Sequence, residues 1–389
     1  MQPKTESRIL SLVQPHLLEL LGYAPIEPAE LLAERLGIAP ERIVKLDGNE
    51  NPYGPSPGTV TALAECKDYN RYPDPHQRSL RAALSDYTGV AGEHIVAGAG
   101  SDELIDLLLR AVAGKGDGVI ECPPTFGMYG FSTRVAGGRS VVVPRRDDFS
   151  LDMPGIRAVA GEAKIIFLAS PNNPTGVVYS RKSLEGLADA LREKSRDIGR
   201  AIYLISDDPY KKIVFDGLET PNVLELYENS IYVTSASKDL AVPGERIGHV
   251  AVHPQAEDAA GVMAGLIFCN RVLGFVNAPA LFQRVVAQVQ HAAVDVEPYR
   301  WRRDWLYKEL TGIGYELVKP QGAFYFFPKS PIADEVEFAR MLAEHKVLVV
   351  PGRGFGTPGY FRISTCFPDR VIEGALPGLA AAYREALDK

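Results

Sequence analysis

A chain of 389 residues can bury a substantial core and divides most naturally into two domains. Its hydrophobic fraction of 46% and charged fraction of 23% are ordinary for a globular protein, and 42 basic against 49 acidic side chains leave a formal charge of −7. That mild acidity argues against nucleic acid or an anionic membrane as the main partner.

Residues 6–38 alternate helical patches with proline-bearing turns. The leading stretch does not read as a signal peptide, because Gln14, Pro15, His16 and Glu19 break its apolar run. From about residue 80 the text becomes an alternation of strands and helices. "HIVAGAG" (94–100) is a short strand ending in glycines, and "SDELIDLLLRAVA" (101–113) is a helix with apolar residues at 104, 105, 108, 109 and 112. "GVIECPP", "KIIFLASP", "AIYLISDDPY" and "SIYVTSASK" follow as strands, with a helix over 183–195 between the second and third. Strands this rich in Ile, Val and Leu, separated by helices, imply a parallel sheet covered on both faces. The window 261–283 is the most apolar, but Asn270, Arg271 and Asn277 interrupt it, so no membrane span is expected. A long helix is expected from about 284 to 310, carrying Trp301 and Trp305. The strands "YELVKPQGAFYFFP", "KVLVVPG" and "YFRISTC" and a helix near 370–387 then complete a second α/β unit. Cys66, Cys122, Cys269 and Cys366 are scattered, with no CxxC pair or Cys/His cluster. Neither a metal site nor a disulfide framework is expected, and the default compartment is the reducing cytoplasm.

In an open α/β sheet, ligands sit beyond the carboxyl ends of the strands. Four successive strand ends here carry chemically capable residues. Gly100, Ser101 and Asp102 follow "HIVAGA"; Asn172, Asn173 and Thr175 follow "KIIFLASP"; Asp207, Asp208 and Tyr210 follow "AIYLIS"; Ser235, Ser237 and Lys238 follow "SIYVT". A glycine turn entering a helix is an anion pocket, because its free N–H groups and the helix dipole both favour phosphate; the same residues would also serve as a plain helix cap. Arg246 adds forked donors to such a phosphate, or else forms a surface ion pair with Glu245. A carboxylate closing an apolar strand, as Asp207 does, is costly unless a cation meets it; otherwise it is a turn residue. Asn173 can donate to a phenolate-like oxygen. A ligand with a phosphate, a basic ring nitrogen, a phenolate oxygen and an aldehyde that condenses with lysine is pyridoxal 5'-phosphate, and it accounts for Lys238.

"SPNNPTG", "SDDPY" and "SASKDLAVPGERIG", in that order, resemble the class I/II aminotransferases of pyridoxal-phosphate fold type I, and the resemblance covers nearly the whole chain from about residue 40. It implies an α/β fold with a large domain, a mostly parallel sheet flanked by helices, over residues 41–275. A smaller α/β domain over 276–389 is joined by an N-terminal helical segment, residues 1–40. It implies that Lys238 condenses with the cofactor and moves a proton, and that Asp207 meets the ring nitrogen. Tyr210 and Asn173 would donate to the ring oxygen, and Phe126 of "CPPTFGMYG" would stack on the ring. Gly100, Ser101, Asp102, Ser235, Ser237 and Arg246 would form the phosphate cup. Arg362 of "YFRIS" matches the arginine that grips a substrate α-carboxylate. Tyr72 of "RYPDP" resembles a tyrosine that reaches the phosphate of the neighbouring subunit, implying a homodimer with shared active sites. Tyr53 is a further substrate-contact candidate, in the partner's site.

The implied reaction is ping-pong amino transfer between an L-amino acid and a 2-oxo acid. "KLDGNENPYGPSP" and "NRYPDPHQRSLRAALSDYTGV" resemble histidinol-phosphate aminotransferases, whereas "DDPYKKIVFDG" and "PQGAFYFFP" resemble aspartate and broad-specificity aminotransferases. Histidinol phosphate is therefore the alternative substrate. Against it, Pro351 stands where a phosphate-gripping arginine is expected, and Arg353 is displaced. A decarboxylase or C–S lyase on the same fold, and a cofactor-sensing regulator, are rivals of another class. Arg362 disfavours decarboxylation, and no basic stripe supplies a DNA-binding unit.

Overall fold

The computed structural model describes residues 28–273 and 276–388. The expectations placed on residues 1–27 lie outside the described residues. The strands are β1 Val44–Lys45, β2 Ile95–Gly98, β3 Gly118–Glu121, β4 Arg139–Val142, β5 Ala163–Leu168, β6 Tyr203–Asp207, β7 Ser230–Ser235, β8 Gly248–Val252, β9 Tyr325–Phe326, β10 Val347–Leu348, β11 Val350–Pro351 and β12 Phe361–Ser364.

Seven of them form one sheet in the order β2-β8-β7-β6-β5-β3-β4. β8 runs antiparallel to both neighbours and the other pairings are parallel. The period-two alternation of side chains splits the apolar strand residues between two cores. Phe167, Ile205, Ile231 and Val233 pack with Leu104, Leu108 and Leu266 from helices Ser101–Val112 and Ala259–Val272. Ile166, Leu168 and Leu204 pack on the other face with Leu184, Leu187 and Leu191 of helix Arg181–Ile198. Coverage on both faces explains why β6 and β7 are buried along their whole length.

The second unit holds a three-stranded antiparallel sheet, β11-β12-β9, and helices Glu297–Ile313, Glu335–Glu344 and Asp369–Leu387. Its core joins Leu306, Leu310, Phe338, Phe361 and Leu379, and Leu46 is buried in the same cluster. β1 pairs with β10, so the segment around residue 45 is tied to this unit.

The expected helix over 284–310 is instead two helices, Ala280–Val289 and Glu297–Ile313. The second starts afresh because Asp295 accepts the Glu297 N–H at 3.0 Å and a proline occupies its first turn. The expected strand in "YELVKPQGAFYFFP" shrinks to β9, since the Gln321–Gly322 turn is held by Gly176 O.

Candidate active site

β6 and β7 end side by side and deliver Asp207 and Ser235 to one rim. Helix Ala236–Asp239 follows β7 at once and carries Ser237 and Lys238 over the same rim. Ser101, Asp102, Phe126, Asn173, Asp207, Tyr210, Ser235, Ser237, Lys238 and Arg246 line one cavity of about 180 Å³, together with Tyr129 and Asn49. Ten candidates from five separate chain segments thus converge.

Lys238 Nζ donates to the carbonyl of Asn49 at 2.7 Å. Burial lowers its pKa to about 8; the charges of Arg362 and Arg246 act in the same direction, against Cys366 and Glu50. Such an amine is far more available as a nucleophile at neutral pH than an ordinary lysine. Asp207 is buried, its Oδ2 accepts the Tyr129 hydroxyl at 2.8 Å, and its Oδ1 has no partner. Burial pushes its pKa up to about 8; Asp102 and Asp208 add to this and the Tyr129 bond opposes it. An orphaned buried acceptor of this kind fits the protonated ring nitrogen of pyridoxal phosphate, so the donor set is consistent with that cofactor.

Gly100 stands before helix Ser101–Val112 at φ 86°, and a Cβ there would lie 2.8 Å from Arg246 Nη2. Arg246 adopts φ 47°, donates to Pro243 O at 2.9 Å, and its Nη2 lies 3.6 Å from Asp102 rather than pairing with Glu245. The left-handed backbone of a non-glycine residue is an expense that functional sites commonly carry. Gly100→Ala is expected to strain the turn by about 1–2 kcal/mol and to push Arg246 away from Ser101. Thermal unfolding and pyridoxal-phosphate titration check this, and both should worsen.

Arg362, on β12, lies over the rings of Tyr325 and Phe355 at 4.5 and 5.0 Å. It donates to Asn173 Oδ1 at 3.1 Å and to Asp47 O at 2.9 Å, while its Nε is buried without a partner. The bond from Arg362 fixes the Asn173 amide with its oxygen towards the arginine. Tyr210 is buried and shares a hydroxyl hydrogen bond with Tyr325 at 2.8 Å.

Besides Gly100 and Arg362, which adjoin residues of the cavity lining without belonging to it, two further candidates lie apart from the lining of their own chain. Tyr72 is 98% exposed. Tyr53 takes a hydrogen bond from Arg302 and packs edge-on to Tyr299 at 6.4 Å. Arg353 is bound to the Glu335 carboxylate at 2.8 Å and lies 3.2 Å from Asp334.

Tyr129, Asn49 and Arg145 were missed. The first stands three residues past Phe126 on the same turn, a spacing that could have revealed it. Asn49 and Asp47 act through backbone carbonyls, which leave no mark in side-chain identity. Arg145 is buried and donates to Cys122 O, Pro124 O and Asn172 Oδ1, tying the loop before Phe126 to the loop that bears Asn173. Among the described residues no group of His, Cys, Asp or Glu could hold a metal, and no helix is long and apolar enough to cross a membrane.

Residues 41–377 match the family model described as aminotransferase class I and II. A histidinol-phosphate aminotransferase from Roseiflexus castenholzii is 44% identical over 252 residues, which is 63% of this chain and 65% of that relative. The chain thus spans just under two thirds of that protein's length. An amino transferase from Eubacterium rectale superposes with a TM-score of 0.85 at 32% identity, covering 99% of both chains. A double mutant of Thermus thermophilus aspartate aminotransferase does so with a TM-score of 0.83 at 26% identity, over 95% of this chain and 99% of that one. Strand order, the convergence of the strand ends and the matched span agree: this chain is a member of the class I and II aminotransferase family.

Proposed function

We propose that the protein is a pyridoxal-phosphate-dependent aminotransferase that moves an amino group between an L-amino acid and a 2-oxo acid. The observation that carries this is the pairing, in one cavity, of a lysine with a depressed pKa and a buried aspartate with one unfilled oxygen. When bound, the cofactor supplies an electron sink for charge developing at the substrate α-carbon. Lys238 Nζ holds the cofactor and then takes and returns the proton at that carbon. Asp207 keeps the ring nitrogen protonated. Asn173 and Tyr210 hold the ring oxygen, and Phe126 covers the ring. Ser101, Ser235, Ser237 and Arg246, with the N–H groups after Gly100, hold the phosphate.

Arg362 holds the substrate α-carboxylate in a bidentate grip, for which Asp47 O must give up its bond. Arg362→Gln should raise KM for amino acids by about tenfold to a hundredfold, the worth of a charge-assisted pair. An unchanged KM for glutamate in steady-state kinetics would remove Arg362 from this role.

The working form is a cytoplasmic homodimer in which Tyr72 reaches the partner's phosphate site. Its near-complete exposure, and the exposed Ile267, Phe268 and Val272 on helix Ala259–Val272, support an uncovered interface in the single chain.

Histidinol phosphate is the second reading, favoured by the name of the 44% identical relative. Against it, Arg353 is engaged by Glu335 and Asp334, and histidinol phosphate has no α-carboxylate for Arg362. A half-reaction screen separates the two. The loaded protein is mixed with single amines, including L-glutamate, L-aspartate, aromatic amino acids and L-histidinol phosphate, and the visible band of the cofactor is followed. A hundredfold preference for histidinol phosphate in kcat/KM would replace the first reading by the second.

A further inference from the structure

Tyr129 is 1% exposed and lies between the two groups that would meet the cofactor ring. Its hydroxyl donates to Asp207 Oδ2 at 2.8 Å. Its ring stacks on Phe167 at 4.8 Å and 1°, and meets the edge of Phe126 at 5.6 Å and 82°. Phe167 is anchored in β5, opposite Ile205 of β6, the strand that ends in Asp207. Three elements therefore hold this phenol: β5 by the stack, β6 by the hydrogen bond, and its own helix, Met128–Val135, by the backbone.

We infer that Tyr129 is a positioning residue: it fills one oxygen of Asp207, so that only Oδ1 is left to receive the ring nitrogen, and the same ring buttresses Phe126. This rests on the reading of Asp207 as the ring-nitrogen partner. Burial first, then the charges of Asp207 and its neighbours Asp208 and Asp102, hold the Tyr129 phenol well above its usual range, so it stays a proton donor at every working pH. The direction of the hydrogen bond is thereby fixed, and Asp207 Oδ2 can only accept. Tyr129 is the sole hydrogen-bond partner of the Asp207 side chain among the described residues. Without the phenol, both carboxyl oxygens would be buried and unfilled, a state that favours a neutral acid.

Two substitutions separate the hydroxyl from the ring. Tyr129→Phe keeps the stack and removes the donor, whereas Tyr129→Leu removes both. The readout is the nitrogen NMR shift of nitrogen-15-labelled pyridoxal phosphate bound to the full-length protein near neutral pH, with cofactor affinity measured alongside. The wild type is expected to show a protonated ring nitrogen. Tyr129→Phe should show partial loss of that protonation, about three- to tenfold weaker cofactor binding, and a lower kcat at unchanged KM. Tyr129→Leu should bind the cofactor still more weakly, because Phe126 loses its support. A wild-type nitrogen shift and affinity in Tyr129→Phe would overturn the inference and leave Tyr129 as core packing. Asp207→Asn serves as the control: if the shift is unchanged in that variant, the assignment of Asp207 itself fails, which is a separate result.

Discussion

Lys238→Ala is expected to lower kcat for amino transfer by about 10⁴-fold or more while leaving the thermal unfolding of the cofactor-free protein nearly unchanged. The side chain makes one hydrogen bond, to Asn49 O, and it is only partly shielded, so its removal opens a small polar gap that water can fill. No other lysine lines the cavity that could replace it. Capture of pyridoxal phosphate by the wild type should also follow the free amine. With a pKa of about 8, the neutral fraction rises roughly tenfold for each pH unit below that value and levels off above it. An unmodified lysine near 10.5 would keep rising well past pH 9. Stopped-flow capture rates between pH 6 and 10 check the profile. A variant that turns over at even one per cent of the wild-type rate would show that Lys238 is not the proton-moving group.

The parts of this site that were legible in the sequence are those where a polar side chain interrupts an apolar strand. Asp207, Ser235 and Lys238 stand out because successive strand ends all place chemically capable residues on one rim, which plain turns explain less well than a site does. Arg362 was legible only through the family resemblance of "YFRIS". The parts that were not legible depend on tertiary contact. Asn49 and Asp47 contribute carbonyls, and nothing in their side chains marks the segment as one that folds back on Lys238 and Arg362. Nothing in "PRRDD" marks Arg145 as buried, yet it is, and it donates to Cys122 O, Pro124 O and Asn172 Oδ1. Tyr53 is bonded to Arg302 of its own chain, and sequence spacing cannot bring residues that far apart together. In the fold, the apolar runs of β5, β6 and β7 were readable, whereas β4 and β8 were not read as strands, and the antiparallel direction of β8 is decided by its connection and not by its own residues. The break between helices Ala280–Val289 and Glu297–Ile313 was hidden because its residues, 290–296, continue an apolar and helix-tolerant text until Asp295 and Pro298 restart the chain.

Asp207→Asn is expected to do opposite things to activity and to the stability of the cofactor-free protein. The carboxyl is buried with one empty oxygen, and burial holds its pKa up near 8, far above the 3.8 expected in an unfolded chain. Because the folded value lies above the unfolded one, whatever stability Asp207 contributes is fully present below about pH 4 and is lost as pH rises towards 8. Asparagine does not titrate. The unloaded variant should therefore match the wild type in melting temperature near pH 4 and exceed it increasingly up to about pH 8. Its amide can still accept the Tyr129 hydroxyl, so the substitution leaves that bond in place. With pyridoxal phosphate bound the order should reverse, since only a carboxylate pairs with a protonated ring nitrogen. Removing one member of a buried hydrogen-bonded charge pair costs about 2–5 kcal/mol, so kcat/KM should fall by about 10²-fold or more. Thermal unfolding at about pH 5 and pH 8, each with and without cofactor, measures both halves. Equal activity in the two proteins would reduce Asp207 to a turn residue. A loss of stability in the unloaded variant at the higher pH would show instead that its carboxylate is satisfied by the fold and holds nothing in reserve for a ligand.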